Sequence, residues 1–90
     1  MNSQDLALHV LHALAQAQIE GRNVNLETLT QDLRVRHADV RRTVSALDRE
    51  GYADALRMRL TLRGFVLGRS LAANDLPVLR RPKLALVAAA

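Results

Sequence analysis

The stretch that decides the fold is Leu33-Arg-Val-Arg-His-Ala-Asp-Val-Arg-Arg-Thr-Val-Ser-Ala-Leu-Asp-Arg-Glu-Gly-Tyr52. Val40, Val44 and Leu47 recur at i, i+4 and i+7, the spacing of one apolar stripe on an α-helix. At the helical 100° per residue, these three fall within about 60° of one another. The opposite face carries Ala38, Arg42, Ser45, Ala46 and Arg49, with Arg41 on its flank. Gly51 follows the last turn, where a left-handed residue closes a helix. Such a helix, apolar on one side and bearing arginines among small residues on the other, has the shape and charge for a DNA major groove. An ordinary solvated helix face has the same pattern, so the flanking segments must decide.

Upstream, Asn2 or Ser3 can cap a helix that runs to about Glu20 and stops at Gly21. Asp5, His9, His12, Gln16 and Glu20 form a polar stripe about 80° wide, while Leu6, Ala7, Leu8, Val10, Leu11, Ala13, Leu14, Ala15, Ala17 and Ile19 spread over about 240°, interrupted by Gln18. A surface helix needs an apolar arc of only ~100°, so the excess calls for a second partner: a C-terminal segment of the chain or another subunit. Asn25 is a good N-cap for a two-turn helix from Leu26 to Leu33, with Val24 and Leu29 placed as a hydrophobic staple. Arg34-Val35-Arg36-His37 then links two short helices into a helix-turn-helix.

Downstream, Leu56, Met58 and Leu60 alternate with Arg57 and Arg59, as in a half-buried strand, and Tyr52 to Asp54 is the expected pairing strand. Thr61 can cap a last helix from Leu62 to about Asn74. Gly64, Gly68 and Ala72 lie four apart on it, a strip that another helix can approach closely. Beyond Asp75, Pro77 and Pro82 bracket Arg80-Arg81 before an apolar end, so 1–74 reads as the domain and 75–90 as an irregular tail or dimer arm.

The charge is uneven. Residues 1–33 hold Arg22 against Asp5, Glu20, Glu27 and Asp32, a net of −3, and residues 34–90 carry +7. A basic half suits a polyanion, and arginine, which supplies 12 of the 13 bases, suits bidentate phosphate and guanine contacts. Tyr52 and Phe65 are too few for a base-stacking platform, which favours duplex over single strands. The chain has no cysteine, which excludes disulfides and thiolate chemistry. Asp5, His9 and His12 share a face at ligand spacing, but nothing completes a metal set, and a solvated polar stripe accounts for them. No nucleophile–base pair or carboxylate pair in an apolar setting is present, so no catalytic residues, metal or cofactor are expected. No apolar run reaches membrane-spanning length and no signal-type opening is seen, which leaves the cytoplasm as the expected compartment.

Helix, short strand, helix-turn-helix, hairpin and helix is the order of a winged helix domain. The chain resembles the winged helix-turn-helix transcriptional regulators, loosely those of MarR type. The resemblance rests on Asn25-Leu26-Glu27-Thr28-Leu29 through Leu33, on Asp39-Val40 to Leu47-Asp48-Arg49-Glu50-Gly51-Tyr52, and on Leu60-Thr61-Leu62-Arg63-Gly64 closing the wing. It spans about Leu6 to Ala72. It implies an α+β fold, a helix bundle with a short two-stranded wing, that binds double-stranded DNA as a homodimer through the N-terminal helix and the helix 62–74. Arg41, Arg42, Ser45 and Arg49 would face base edges or nearby phosphates, while Arg34, Arg36, His37, Arg57 and Arg59 would track the backbone. The competing expectation is a winged helix that binds protein in a larger assembly.

Three positions depart from the family pattern. Arg34 stands where the turn usually has glycine, and a left-handed conformation there costs ~1–2 kcal/mol. Arg36-His37 replaces the Ser or Thr that normally caps the second helix, forfeiting ~1 kcal/mol. The wing has no glycine or asparagine at its tip, which weakens the case for minor-groove contact.

Overall fold

A computed structural model describes residues 3–71 and 76. The described residues form four helices and a two-stranded antiparallel hairpin, an α+β arrangement in the order α1 (Ser3–Glu20), α2 (Leu26–Leu33), α3 (His37–Arg49), β1 (Ala53–Asp54), β2 (Arg59–Leu60) and α4 (Leu62–Ser70). The strands pair Ala53 with Leu60 and Asp54 with Arg59. The tail 77–90 and the Ala72 to Asn74 end of the expected last helix lie outside the described residues.

Local chemistry sets most boundaries. Gly21 ends α1 at φ 71°, and Gly51 follows α3 at φ 82°. The Asn25 side chain accepts from the Thr28 N–H at 2.8 Å, and Thr61 Oγ1 accepts from the Gly64 N–H at 3.2 Å, each capping a helix start. Arg34 adopts φ 56°, ψ 46°, the left-handed closure its position demands. Its N–H and that of Val35 both bond the Thr30 carbonyl, which ends α2 and turns the chain toward α3. Arg36 sits at the N-cap of α3 with no side-chain hydrogen bond to the first turn, as its missing hydroxyl implies.

Helix α1 is the centre of the molecule. Leu6, Val10, Leu11, Leu14, Ala15 and Ala17 are buried, and α4, α3, α2 and β2 all pack on it. The wide apolar arc is thus covered from several sides within one chain, and α4 is the C-terminal segment that takes up the excess. Val40, Val44 and Leu47 of α3, Leu29 of α2 and Leu60 of β2 complete the core. Val24 packs at its edge beside the α2 start, consistent with a staple on Leu29.

Two close approaches lock α4 in place. A Cβ built on Gly64 would overlap the Tyr52 carbonyl oxygen, and one on Gly68 would lie 2.6 Å from the Leu11 carbonyl oxygen. Gly64 and Gly68 therefore serve the hairpin and α1 of the same chain. Arg63, on α4, stacks over the Tyr52 ring at 4.5 Å and donates to the Tyr52 hydroxyl and the Glu50 carbonyl, joining α4 to the end of α3.

Three expectations need correction, the first being the short strand between the first two helices: residues 22–25 are irregular and pair with no strand. Helix α4 ends at Ser70, with Leu71 already extended, where the wheel predicted continuation to about Asn74. Residues 55–58 form a turn, not the start of a strand, and only Arg59 and Leu60 pair. The Asp54 carboxylate causes this: its Oδ1 accepts from the Leu56 and Arg57 N–H groups, and Met58 follows at φ 51° to bring the chain back.

Candidate nucleic-acid interface

Helix α3 divides cleanly into two faces. Val40, Thr43, Val44 and Leu47 are buried against the core. Ala38, Arg41, Arg42, Ser45 and Arg49 are exposed, and helical spacing places them within ~100° of one another. Arg34, Arg36 and His37, all exposed, cluster at the turn that leads into the helix. Among the described residues the ion pairs are Arg22–Glu20 and Arg57–Asp54, so Arg34, Arg36, Arg41, Arg42 and Arg49 carry uncompensated charge. Burying one side of α3 fixes the direction of the other, and the outcome is a rigid basic ridge.

The hairpin is fastened beside this ridge. The Tyr52 N–H bonds the Leu47 carbonyl at 2.9 Å, and Asp48 Oδ2 accepts from the Ala55 N–H at 2.7 Å. Asp48 lies three residues past Ser45 and seven past Arg41, so the turn stands on the Arg41 side of the ridge.

Not every expected residue joins that surface. Arg57 and Arg59 line a cleft of about 200 Å³ with Gln18, Arg22, Asn23 and Met58, facing the end of α1. Arg57 is also held 3.7 Å from the Asp54 carboxylate, so it offers less free charge to a phosphate than its sequence position suggested. Three residues at the hairpin were missed: Asp48 and Asp54, which shape the turn, and Leu56 at its apex, 96% exposed. Asp54 two residues before the apex is an Asx-turn signal that was legible; the Asp48 contact was not, because it joins separate elements.

The described residues contain no group of three ligating side chains placed to hold a metal ion. No described helix is long and apolar enough to cross a membrane. No protein-family model, curated protein or solved structure matches the chain.

Proposed function

We propose that this chain is a winged helix-turn-helix that binds double-stranded DNA in the cytoplasm as a small transcriptional regulator, and not an enzyme. The supporting observation is the ridge on α3: exposed arginines free of ion pairs, on the face opposite a fully buried apolar stripe. A helix with side chains is about 10–12 Å wide, and the major groove about 12 Å, so α3 fits with Arg42, Ser45 and Arg49 toward the bases. Arg34, Arg36, His37 and Arg41 reach phosphates on either side, and Arg59 contributes general positive potential from the hairpin.

The regulator acts as a homodimer through α1 and α4, which would present two such helices to successive half-sites. With Gly64 and Gly68 already engaged inside the chain, the surface left for this is the outward side of α4, where Leu62 is 80% and Val66 61% exposed, together with Ile19 of α1 at 55%. The same exposed strip is what favours the second reading, a winged helix that docks on another protein.

Electrophoretic mobility shift with random 30-base-pair duplex decides between them. The DNA reading expects a shift at 50 mM salt that falls steeply by 200 mM, with a log K against log[salt] slope of several units. Absence of any shift at 50 mM would overturn it.

A further inference from the structure

We infer that the cleft between the end of α1 and the hairpin is a binding site for a small phosphate monoester with a compact apolar body. The site is separate from the α3 ridge and does not depend on the duplex-binding reading.

Three arginines from two parts of the chain, Arg22 after α1 and Arg57 and Arg59 on the hairpin, line this one cleft of about 200 Å³. Two of them are held by carboxylates. Glu20 Oε1 accepts from Arg22 Nε, and Asp54 Oδ2 stands 3.7 Å from Arg57 Nε. Each pair engages the Nε side, so Nη1 and Nη2 of both guanidiniums have no partner among the described residues. Arg59 is in no ion pair among the described residues, and three arginines against two carboxylates leave the cleft with a net positive charge. The open terminal nitrogens call for an anion with several oxygens. A carboxylate fills one guanidinium fork, whereas a phosphate monoester brings up to two negative charges and three terminal oxygens, enough to engage three guanidiniums together.

The floor of the cleft sets the other half of the ligand. Leu14 and Ala17 of α1 are buried there, and Val24 and Met58 form half-buried walls. This apolar surface gives an uncharged body a place to leave water, which a bare phosphate ion does not use. The volume is below that of a drug-sized pocket, which limits the body to a small ring or short chain. A polymer backbone fits the same floor poorly, since its phosphate is a diester with one charge and sugar on both sides.

The test is a titration of the isotope-labelled protein at about 50 mM salt, followed through amide NMR shifts, with phenyl phosphate, inorganic phosphate and dimethyl phosphate as probes. Phenyl phosphate should move the amides of Arg22, Asn23, Met58 and Arg59 along one saturable curve, with a Kd on the order of 0.1–1 mM. Inorganic phosphate, which lacks the ring, should bind about 5- to 10-fold more weakly. Dimethyl phosphate, singly charged like a nucleic-acid backbone, should not saturate. Arg59→Ala should weaken phenyl phosphate about 10-fold and Arg22→Ala about 5-fold, while Arg42→Ala on the α3 ridge leaves the curve unchanged. Arg22 and Arg59 are exposed, so their variants should melt with the wild type and exclude misfolding as the cause. Shifts confined to α3, or an Arg59→Ala curve equal to that of the wild type, would overturn the site. Dimethyl phosphate binding as tightly as phenyl phosphate would give the cleft to a nucleic-acid phosphate and overturn it too. No saturable shift with phenyl phosphate would remove the site and leave the duplex reading standing, which the mobility shift tests on its own.

Discussion

Gln18 Oε1 accepts a 2.6 Å hydrogen bond from the backbone N–H of Leu60, tying the end of α1 to the edge of the hairpin. Gln18 had interrupted an otherwise apolar arc, and this bond is the reason. Leu60 pairs with Ala53 on one side, and Gln18 satisfies its N–H on the other. Gln18→Ala should therefore cost ~1–3 kcal/mol in urea unfolding, the penalty of a part-buried donor left without a partner. Gln18→Glu keeps an acceptor and should lie closer to the wild type. An Ala variant within 0.5 kcal/mol would show the bond to be incidental.

The two glycines of α4 should respond unequally. Helix propensity alone would favour alanine by ~1 kcal/mol at either site. At Gly64 a methyl would collide with backbone, the Tyr52 carbonyl, and neither partner is a flexible side chain. We expect Gly64→Ala to lose more than ~3 kcal/mol, or to fail to fold. Gly68→Ala meets the Leu11 carbonyl at 2.6 Å and the Ala15 methyl at 3.0 Å, and should lose ~1–2 kcal/mol as the helices part slightly. Thermal melts rank the two; the reverse order would contradict the packing.

Arg34 places stability and binding in opposition. Arg34→Gly relieves the left-handed strain and should stabilise the domain by about 1 kcal/mol. The same change removes a cation from the turn into α3, so duplex affinity should fall and the log–log salt slope flatten by ~1 unit per subunit. A variant that is both more stable and a stronger binder would remove Arg34 from the interface.

Arg42 and Arg57 should divide specificity from affinity. Arg42 lies opposite the buried Val40–Val44 stripe, at the middle of the ridge. Arg42→Ala should reduce the preference for a selected sequence over random duplex by roughly 5- to 150-fold, the value of one bidentate guanine contact. Arg57→Ala should weaken all duplexes about equally, with a salt-slope change below one unit because Asp54 already compensates its charge. Both exposed substitutions should leave stability within ~0.5 kcal/mol. Identical behaviour of Arg42→Ala and wild type on every duplex would favour the protein-binding reading.

Self-association is checked on the outward side of α4. Sedimentation equilibrium at micromolar concentration should show a dimer for the wild type and a 10.0 kDa monomer for Leu62→Glu with Val66→Glu. Both residues are exposed, so the double variant should fold. A wild-type monomer would remove the two-half-site arrangement.

The features legible in the sequence were those whose chemistry is local. Asn25 and Thr61 announce helix starts because a side-chain oxygen finds an N–H three residues on, and Gly21 and Gly51 announce ends because they tolerate positive φ. The α3 ridge was legible for a similar reason, since a 3.6-residue period fixes which side chains are buried. Leu56 was misread because alternating leucine and arginine is the pattern of a strand and of a two-sided turn alike. The turn forms because Asp54 takes the Leu56 and Arg57 N–H groups, and Asp48, a residue of another element, holds Ala55 beside it. The destination of the α1 arc and the Gly64–Gly68 strip was likewise unreadable, because a close-packing surface does not state whether its partner is in the same molecule. The structure matched those two surfaces largely to each other, with Tyr52 taking Gly64.

The central position of α1 carries a consequence for biosynthesis. Some partners of α1 come from far along the chain: Leu11 and Ala15 meet Gly68, and Gln18 meets Leu60. Before α4 is made, α2, α3 and β2 can already cover part of α1, while the side at Leu11 and Ala15 that meets Gly68 stays open. Burial of α1 is therefore completed only when α4 has emerged and docked on it.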